Sequence, residues 1–410
     1  MSAAPSGSRD AHGAVPPAAA EAPANGVSYV VRFQSGEQRE CGPGPPAFVV
    51  EAPEARRFED LLRRGRYALA TAFLRGEFDV RGDLVAAVRQ FREIARRQPV
   101  DRLSSRAAAY GLWKLGRFFQ SRRRAAGNIR FHYDYPAGFY QQFLDERLVY
   151  SCAYFREPGC SLDEAQLAKL EHVCRKLDLR CGDRFLDVGC GWGGLVMYAA
   201  GQYGARAAGC TLSRAQYGFV QAELARRGLG DRVEVHDKDY RDLRGQYDKI
   251  ASIGMFEHVG SRRLRSYFAK IDSLLADDGR FLNHGIVRPQ SAADDVETLF
   301  MHRYVFPDGE LVHLADVIRE AELAGFEVLD VENLRLHYAM TCRAWVQRLQ
   351  EHSRECIRLV GSRTHRTWLL FLAASADSFE RARIEVHQVL LAKRTSPLNR
   401  ALTRESIYRG

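Results

Sequence analysis

RFLDVGCGWGGL, residues 184–195, decides the fold. Phe185 and Leu186 read as the end of a buried strand, with Asp187 and Val188 at its tip. Gly189, Gly191 and Gly193 then alternate, and Gly194 leads into an apolar helical run of Leu195, Val196, Tyr198 and Ala199. Alternating glycines let backbone N–H groups crowd a ligand where no Cβ would fit. The helix that follows points its positive end at that ligand. The spacing is G-x-G-x-G rather than the G-x-G-x-x-G of dinucleotide binders, and the acid Asp187 precedes the first glycine by two. The pattern suits a ligand with a carboxylate and an amine, such as the methionine part of S-adenosylmethionine. A tight strand–helix turn with no ligand is the plain alternative.

Outward from this loop, the chain alternates helix and strand from about residue 161. SLDEAQLAKLEHVCRKLDL reads as a helix capped by Ser161, with Glu164 completing a capping box. Strands are expected at 184–188, 206–211, 232–236, 247–253, 280–287 and 325–331, with EVHQVLLAKR closing the set. Helices are expected at 192–202, 213–228, 260–276 and 311–324, and through 340–383. The fold class is α/β, a doubly wound, mostly parallel, Rossmann-like sheet of seven strands. Its ligand site should lie beyond the carboxyl ends of the strands.

The chain of 410 residues is long enough for two domains. A small, mainly helical N-terminal domain is expected over 26–125 and the α/β domain over 126–395. Residues 1–25, rich in Ala, Pro and Gly, read as disordered and lack the apolar core of a signal peptide, and 396–410 reads as a flexible tail. Val27, Tyr29, Val31 and Phe33, then Phe48 to Val50, read as a small β-hairpin region, and 55–100 as helices. Net charge is +9, and only seven of the 60 basic residues are lysine. Such a surface meets nucleic acid, anionic lipid or acidic substrates, and charge alone does not choose. No run of about 18 apolar residues is present, so no membrane span is expected. The nine cysteines form no C-x-x-C pair and no metal-like spacing with His, which suits free thiols in a reducing cytosol and no metal site.

Residues 103–124 interleave Tyr110, Trp113, Phe118 and Phe119 with Arg106, Lys114, Arg117 and Arg122 to Arg124. An amphipathic helix of this kind can lie on a membrane surface. The competing reading is a helix docked on its own core with a solvated Arg face.

The strand tips should deliver the chemistry. The second tip, CTLSRAQ, offers Thr211, Leu212, Ser213 and Gln216 for a ribose or amino-acid carboxylate, and lacks the acid that often holds ribose hydroxyls. The third offers Asp239 and Tyr240 as adenine contacts. The fourth, MFEHVG, places Glu257 and His258 across the switch point, and the fifth delivers His284. Glu257 alone reads as a helix cap and His284 alone as a core histidine. Together, at adjacent tips, they form an acid–base or anion-binding pair.

At these residues the chain resembles the cyclopropane-fatty-acid synthase family of S-adenosylmethionine-dependent methyltransferases. The resemblance rests on HYDYPAGFYQQFLD (132–145), YSCAYF (150–155), LDVGCGWGGL (186–195), TLSRAQ (211–216), YDKIASIGMFEHVG (247–260), FLNHGI (281–286) and RYVFPDGEL (303–311). It covers roughly 128–393, and more weakly 55–125. It implies that Tyr150, Ser151, Asp187, Gly189, Cys190, Gly191, Gly193, Thr211 to Gln216, Asp239 and Tyr240 hold S-adenosylmethionine. It implies that Cys152, Glu257, His284, the backbone of Ile286, and Tyr338 hold a bicarbonate ion. Ser375 stands where many members carry a Cys.

The implied reaction adds the sulfonium methyl to a cis alkene of a membrane phospholipid acyl chain. The resulting carbocation needs a dry site, an aromatic face such as Tyr338, and a base, for which bicarbonate serves. The implied enzyme is cytoplasmic and peripheral on the inner face of the membrane, drawn there by Arg-rich helices at 55–72 and 103–124, with an apolar tunnel reaching His284. No nucleic acid partner is expected, because the aromatics at 110–119 sit at helical spacing rather than as a stacking stripe. A homodimer is left open. The alternatives are a methyltransferase for a soluble small molecule and a catalytically dead lipid- or nucleic-acid-binding protein.

Overall fold

The computed structural model describes residues 27–96, 135–291, 310–396 and 402–408. The expectations for 1–25, for the 103–124 helix, and for most of the 303–311 motif fall outside the described residues. The chain divides into two compact units, Met1–Arg102 and Leu103–Gly410.

The first unit contains β1 (Tyr29–Phe33), β2 (Gln38–Cys41), β3 (Phe48–Ala52) and β4 (Asp79–Gly82). Their order in the sheet is β2-β1-β3-β4. Helices Ala55–Arg63, Arg66–Arg75 and Leu84–Arg96 accompany it and hold more of the unit's residues than its strands do, beside a sheet larger than a hairpin. The two apolar runs do not pair as a hairpin. β1 runs parallel to β3, and its hairpin partner is the short β2, reached through a turn at Gly36. In helix Ala55–Arg63, Phe58, Leu61 and Leu62 are buried in the unit's own core, while Arg56, Arg57, Arg63 and Arg64 stay exposed.

The second unit is built on β5 (Arg184–Val188), β6 (Arg206–Thr211), β7 (Val233–Asp237), β8 (Tyr247–Ile253), β9 (Leu275–Val287), β10 (Phe326–Asn333) and β11 (Glu385–Lys393). They form one sheet in the order β10-β11-β9-β8-β5-β6-β7, and only β11 runs antiparallel to its neighbours. The expected seven-stranded, mostly parallel sheet is present. The chain moves from β5 to β6 on one side and returns to β8 on the other, so a crevice opens at the ends of β5 and β8.

Continuous apolar strands need cover on both faces. Helices Leu162–Leu177, Gly194–Tyr203 and Arg214–Arg227 contribute to one buried cluster with Phe185 and Ala207. Helices Leu264–Leu274 and Leu314–Leu323 contribute to another with Leu186, Ile250 and Phe281. The capping box of Ser161 and Glu164 is formed in both directions. The expected long helical region is three helices, Arg335–Glu351, Ser353–Val360 and Ser362–Glu380, the last two separated by Gly361 at φ 81°. Within the segment read as a loose tail, Arg404 pairs with Asp330 at 2.5 Å and the Tyr408 hydroxyl donates to Glu332 at 3.1 Å. Among the described residues no helix is long and apolar enough to cross a membrane.

Candidate active site

A cavity opens at the crevice between the ends of β5 and β8. Eleven of the residues implied for the cofactor line it: Tyr150, Ser151, Asp187, Gly189, Cys190, Gly191, Thr211, Leu212, Gln216, Asp239 and Tyr240. Gly193 and Ser213 act one step behind. Gly193 starts helix Gly194–Tyr203 at φ 82°, and a Cβ there would meet Val220 Cγ2 at 2.9 Å. Ser213 caps helix Arg214–Arg227 by accepting from the Gln216 N–H at 3.3 Å.

The glycine loop is wired differently from the sequence reading. The N–H groups of Gly189 and Cys190 donate to the Cys210 carbonyl at 3.1 and 3.0 Å, and that of Gly193 to the Cys190 carbonyl at 2.9 Å. These three donors fasten the loop to β6 and to itself instead of facing a ligand. Glycine is required at 189 because φ is 85° and a Cβ would stand 3.0 Å from Met255 Cγ. At the second tip, Thr211 Oγ1 donates to Gln216 Oε1 at 2.8 Å, which fixes the amide beside the cavity. Asp239 is already engaged: it caps the Tyr240–Asp242 turn and pairs with Arg241 at 2.5 Å. Arg241 in turn lies 5.7 Å from the Tyr240 ring centroid.

Segment 149–155 forms no regular strand or helix, and side chains hold it. Gln166 donates to the carbonyls of Val149 and Ser151 at 3.2 and 2.9 Å. Lys169 Nζ donates to Ser151 Oγ at 3.1 Å. The Ala153 and Phe155 N–H groups donate to Thr341 Oγ1 and His337 Nδ1, both at 3.0 Å. The segment is therefore clamped between helices Leu162–Leu177 and Arg335–Glu351.

The second group of residues gathers at the end of β9. Gly254 N–H donates to the His284 carbonyl at 2.9 Å, and Ile286 N–H donates to Glu257 Oε1 at 2.7 Å. The resemblance implied that the Ile286 backbone holds an ion, yet here its donor is taken by Glu257. Across β9, Val386 faces Ile286 and Gln388 faces His284 in register. Gln388 Nε2 donates to His284 Nδ1 at 3.1 Å. Leu334 N–H donates to the Val386 carbonyl at 2.9 Å, and the Leu334 carbonyl accepts from Tyr338 N–H at 3.0 Å and Cys152 Sγ at 3.8 Å. These links join all five implied ion-site residues around one strand end. Tyr338 stacks on Phe379 at 4.6 Å and meets Trp345 edge-on.

Burial sets the charges. It pushes the Glu257 carboxyl up to about 7 and the His284 imidazole down to about 3. With Gln388 donating to Nδ1, the neutral His284 carries its proton on Nε2. Among the described residues, neither Glu257 Oε2 nor His284 Nε2 has a hydrogen-bond partner. A buried polar atom without a protein partner is ordinarily completed by an ordered water, an ion or a ligand. Cys152 is fully buried, and burial raises its thiol well above the ordinary range, so it is a neutral donor rather than a nucleophile. Ser375 back-bonds to the Phe371 carbonyl at 2.9 Å.

Sequence reading missed Lys169 and Gln388. Lys169 is 1% exposed and lines the cavity. The signal was present: Gln166, Lys169 and Lys176 occupy the buried stripe of their helix, with Leu170, Val173 and Leu177.

Fold and cavity define an S-adenosylmethionine-dependent methyltransferase. The mycolic acid cyclopropane synthetase family model matches residues 120–389, and the chain belongs to that family. Three relatives illustrate its range. The "Probable fatty acid methyltransferase" of Pseudomonas putida is 38% identical over 393 residues, 92% of this chain and 96% of that protein. The cyclopropane-fatty-acyl-phospholipid synthase of Escherichia coli strain K12 is 36% identical over 275 residues, 67% of this chain and 70% of that one. The crystal structure of mycolic acid cyclopropane synthase CmaA1 complexed with SAH and CTAB has a TM-score of 0.63 and 32% identity, covering 67% of this chain and 100% of that one.

Proposed function

We propose that this enzyme transfers a one-carbon unit from S-adenosylmethionine to the cis double bond of an unsaturated phospholipid acyl chain. The product is a cyclopropane ring or a methyl- or methylene-bearing chain. The observation that carries the reading is the pair of open buried atoms, Glu257 Oε2 and His284 Nε2, at the end of β9. Simple methylation of an amine needs no buried anion site. Removal of a proton from a newly added methyl group needs a base in a dry pocket.

The residues fit a small oxyanion. His284 Nε2–H donates, and Glu257, neutral below about 7, shares a proton instead of repelling the ion. When bound, S-adenosylmethionine supplies an electrophilic methyl group and bicarbonate supplies the base. Gln388 holds the His284 tautomer. Ile286 N–H orients Glu257. The Tyr338 ring offers a π face to developing positive charge. Glu257, His284, Tyr338 and Cys152 are thus the residues assigned to the reaction, Cys152 as a fixed neutral wall of the pocket.

The same reading places the enzyme on the cytoplasmic face of the membrane, with the N-terminal unit meeting lipid. Exposed Arg56 and Arg63 support it, since each basic residue near an anionic surface is worth about 1 kcal/mol. Purified enzyme with labelled S-adenosylmethionine should label vesicles of monounsaturated anionic phospholipid and not saturated ones. Removing bicarbonate should slow the reaction, and about 0.5 M salt should weaken vesicle binding by screening. Labelling of a soluble amine with no label in unsaturated lipid would replace this reading with a small-molecule methyltransferase.

A further inference from the structure

β10 carries two carboxylates, Asp330 and Glu332, at alternate positions and therefore on one face of the sheet. Glu332 faces Gln388 in register on β11, and Gln388 faces His284 on β9, so one row of side chains runs from Glu332 to His284. Helix Leu162–Leu177 packs on the Glu332 end of that row. Its Lys176, with no exposed side chain, lies 3.1 Å from Asp330 and 2.6 Å from Glu332, and its His172 Nε2 lies 2.7 Å from Glu332. Residues 402–408 close the outer side. The exposed Arg404 guanidinium reaches the buried Asp330 carboxylate at 2.5 Å. The Tyr408 hydroxyl donates to Glu332 at 3.1 Å, and the Tyr408 ring lies 5.7 Å from that of His172.

Two routes lead from this cluster to the end of β9. Along the chain, Glu332 is followed by Asn333 and Leu334, and the Leu334 carbonyl accepts from Tyr338 N–H and Cys152 Sγ. Through space, the Tyr154 ring is stacked between His172 at 4.3 Å and His337 at 4.8 Å. His337 Nδ1 in turn accepts from Phe155 N–H at 3.0 Å. Both routes end on segment 152–155 and on the start of helix Arg335–Glu351, which carry Cys152 and Tyr338.

We propose that residues 402–408 are a strap, with Arg404 and Tyr408 as positioning residues for the reaction. Arg404 neutralises Asp330 and Tyr408 holds Glu332, which fixes the corner between β10 and helix Arg335–Glu351 and, through the ring stack, segment 150–155. Two carboxylates face one fully buried lysine here, and Arg404 adds a further positive charge from the surface. A buried charge left uncompensated is costly, so the cluster keeps the strap in place. The strap lies beyond residues 120–389, the stretch matched to the family. The inference rests on reading the end of β9 as the reaction site.

The test compares full-length wild type with Arg404→Ala, Arg404→Lys and Tyr408→Phe proteins. Amide hydrogen exchange is measured beside methyl transfer to vesicles of monounsaturated anionic phospholipid at saturating S-adenosylmethionine. In Arg404→Ala and Tyr408→Phe, exchange across 150–155 should rise while β5 exchanges as in wild type. Turnover, kcat, should fall on the order of 3- to 10-fold, between the worth of an exposed ion pair and that of a hydrogen bond to a charged group, with KM for lipid within about twofold. Arg404→Lys, which keeps the charge, should retain most of the wild-type rate. Unchanged exchange at 150–155 would overturn the strap. An equal rise in β5 and in 150–155 would make Arg404 and Tyr408 merely structural and overturn it too. Faster exchange confined to 150–155 with unchanged kcat would instead overturn the placement of the reaction at the end of β9, and the positioning role with it.

Discussion

Gly285→Ala tests whether Glu257 must be held where the structure puts it. A Cβ on Gly285 would stand 2.0 Å from Phe256 Cε1, 2.5 Å from Cδ1 and 3.0 Å from Cζ. Ordinary contact begins at 3.4 Å, so the nearest ring atom must retreat by ~1.4 Å (3.4 minus 2.0). Phe256 is 2% exposed and precedes Glu257 on the Phe256–His258 turn, so it has no open space to enter without moving that turn. Overpacking of this kind costs about 1–3 kcal/mol. A shift of about 1 Å in a reacting group costs roughly 100-fold in rate. Urea unfolding should therefore show a loss within that range, and methyl transfer should fall far more than stability alone explains at 25 °C. Adding Phe256→Leu should recover much of the stability and part of the rate. Stability within about 0.5 kcal/mol of wild type, with activity within twofold, would refute the packing argument.

Two further outcomes follow from buried charge. Glu257 is raised from 4.5 to about 7 in the folded protein, so between those pH values the folded state holds the proton that the unfolded state has released. Its contribution to stability is full below about 4.5 and is lost as pH rises through about 7. Urea unfolding from pH 4.5 to 7.5 should therefore show Glu257→Gln gaining stability relative to wild type as pH rises, and a constant difference would contradict the burial of this carboxyl. Lys176 has no exposed side chain and lies 3.1 Å from Asp330 and 2.6 Å from Glu332. Lys176→Met removes the fully buried cation between those carboxylates while leaving Arg404 on Asp330 and His172 against Glu332, so unfolding measurements should show a loss at or below the low end of about 3–5 kcal/mol.

The seven strands of the second unit were legible because buried parallel strands are short apolar runs set between helices and glycine turns. The loop from Gly189 to Gly194 marked the switch point directly, since it follows the first of those strands. The N-terminal sheet was less legible. QREC in β2 has no apolar alternation because it is an edge strand, with only Cys41 buried. Parallel pairing of β1 with β3 leaves no local signal in the chain. At the site, residue types were readable and their wiring was not. Nothing local shows that the Ile286 N–H is spent on Glu257, that Gly189 and Cys190 donate to Cys210, or that Gln388 sets the His284 tautomer. Each of those contacts joins residues distant in sequence, and only the packed sheet brings them together.

The most direct measurement is mass spectrometry of lipids from cells fed labelled methionine and expressing wild-type, Glu257→Ala or His284→Ala enzyme. The account predicts a gain of one labelled methylene on monounsaturated acyl chains with wild type, lost in both variants while purified variants still bind S-adenosylmethionine. No label in any acyl chain from wild-type cells, with the purified enzyme binding S-adenosylmethionine, would contradict a lipid alkene as the acceptor.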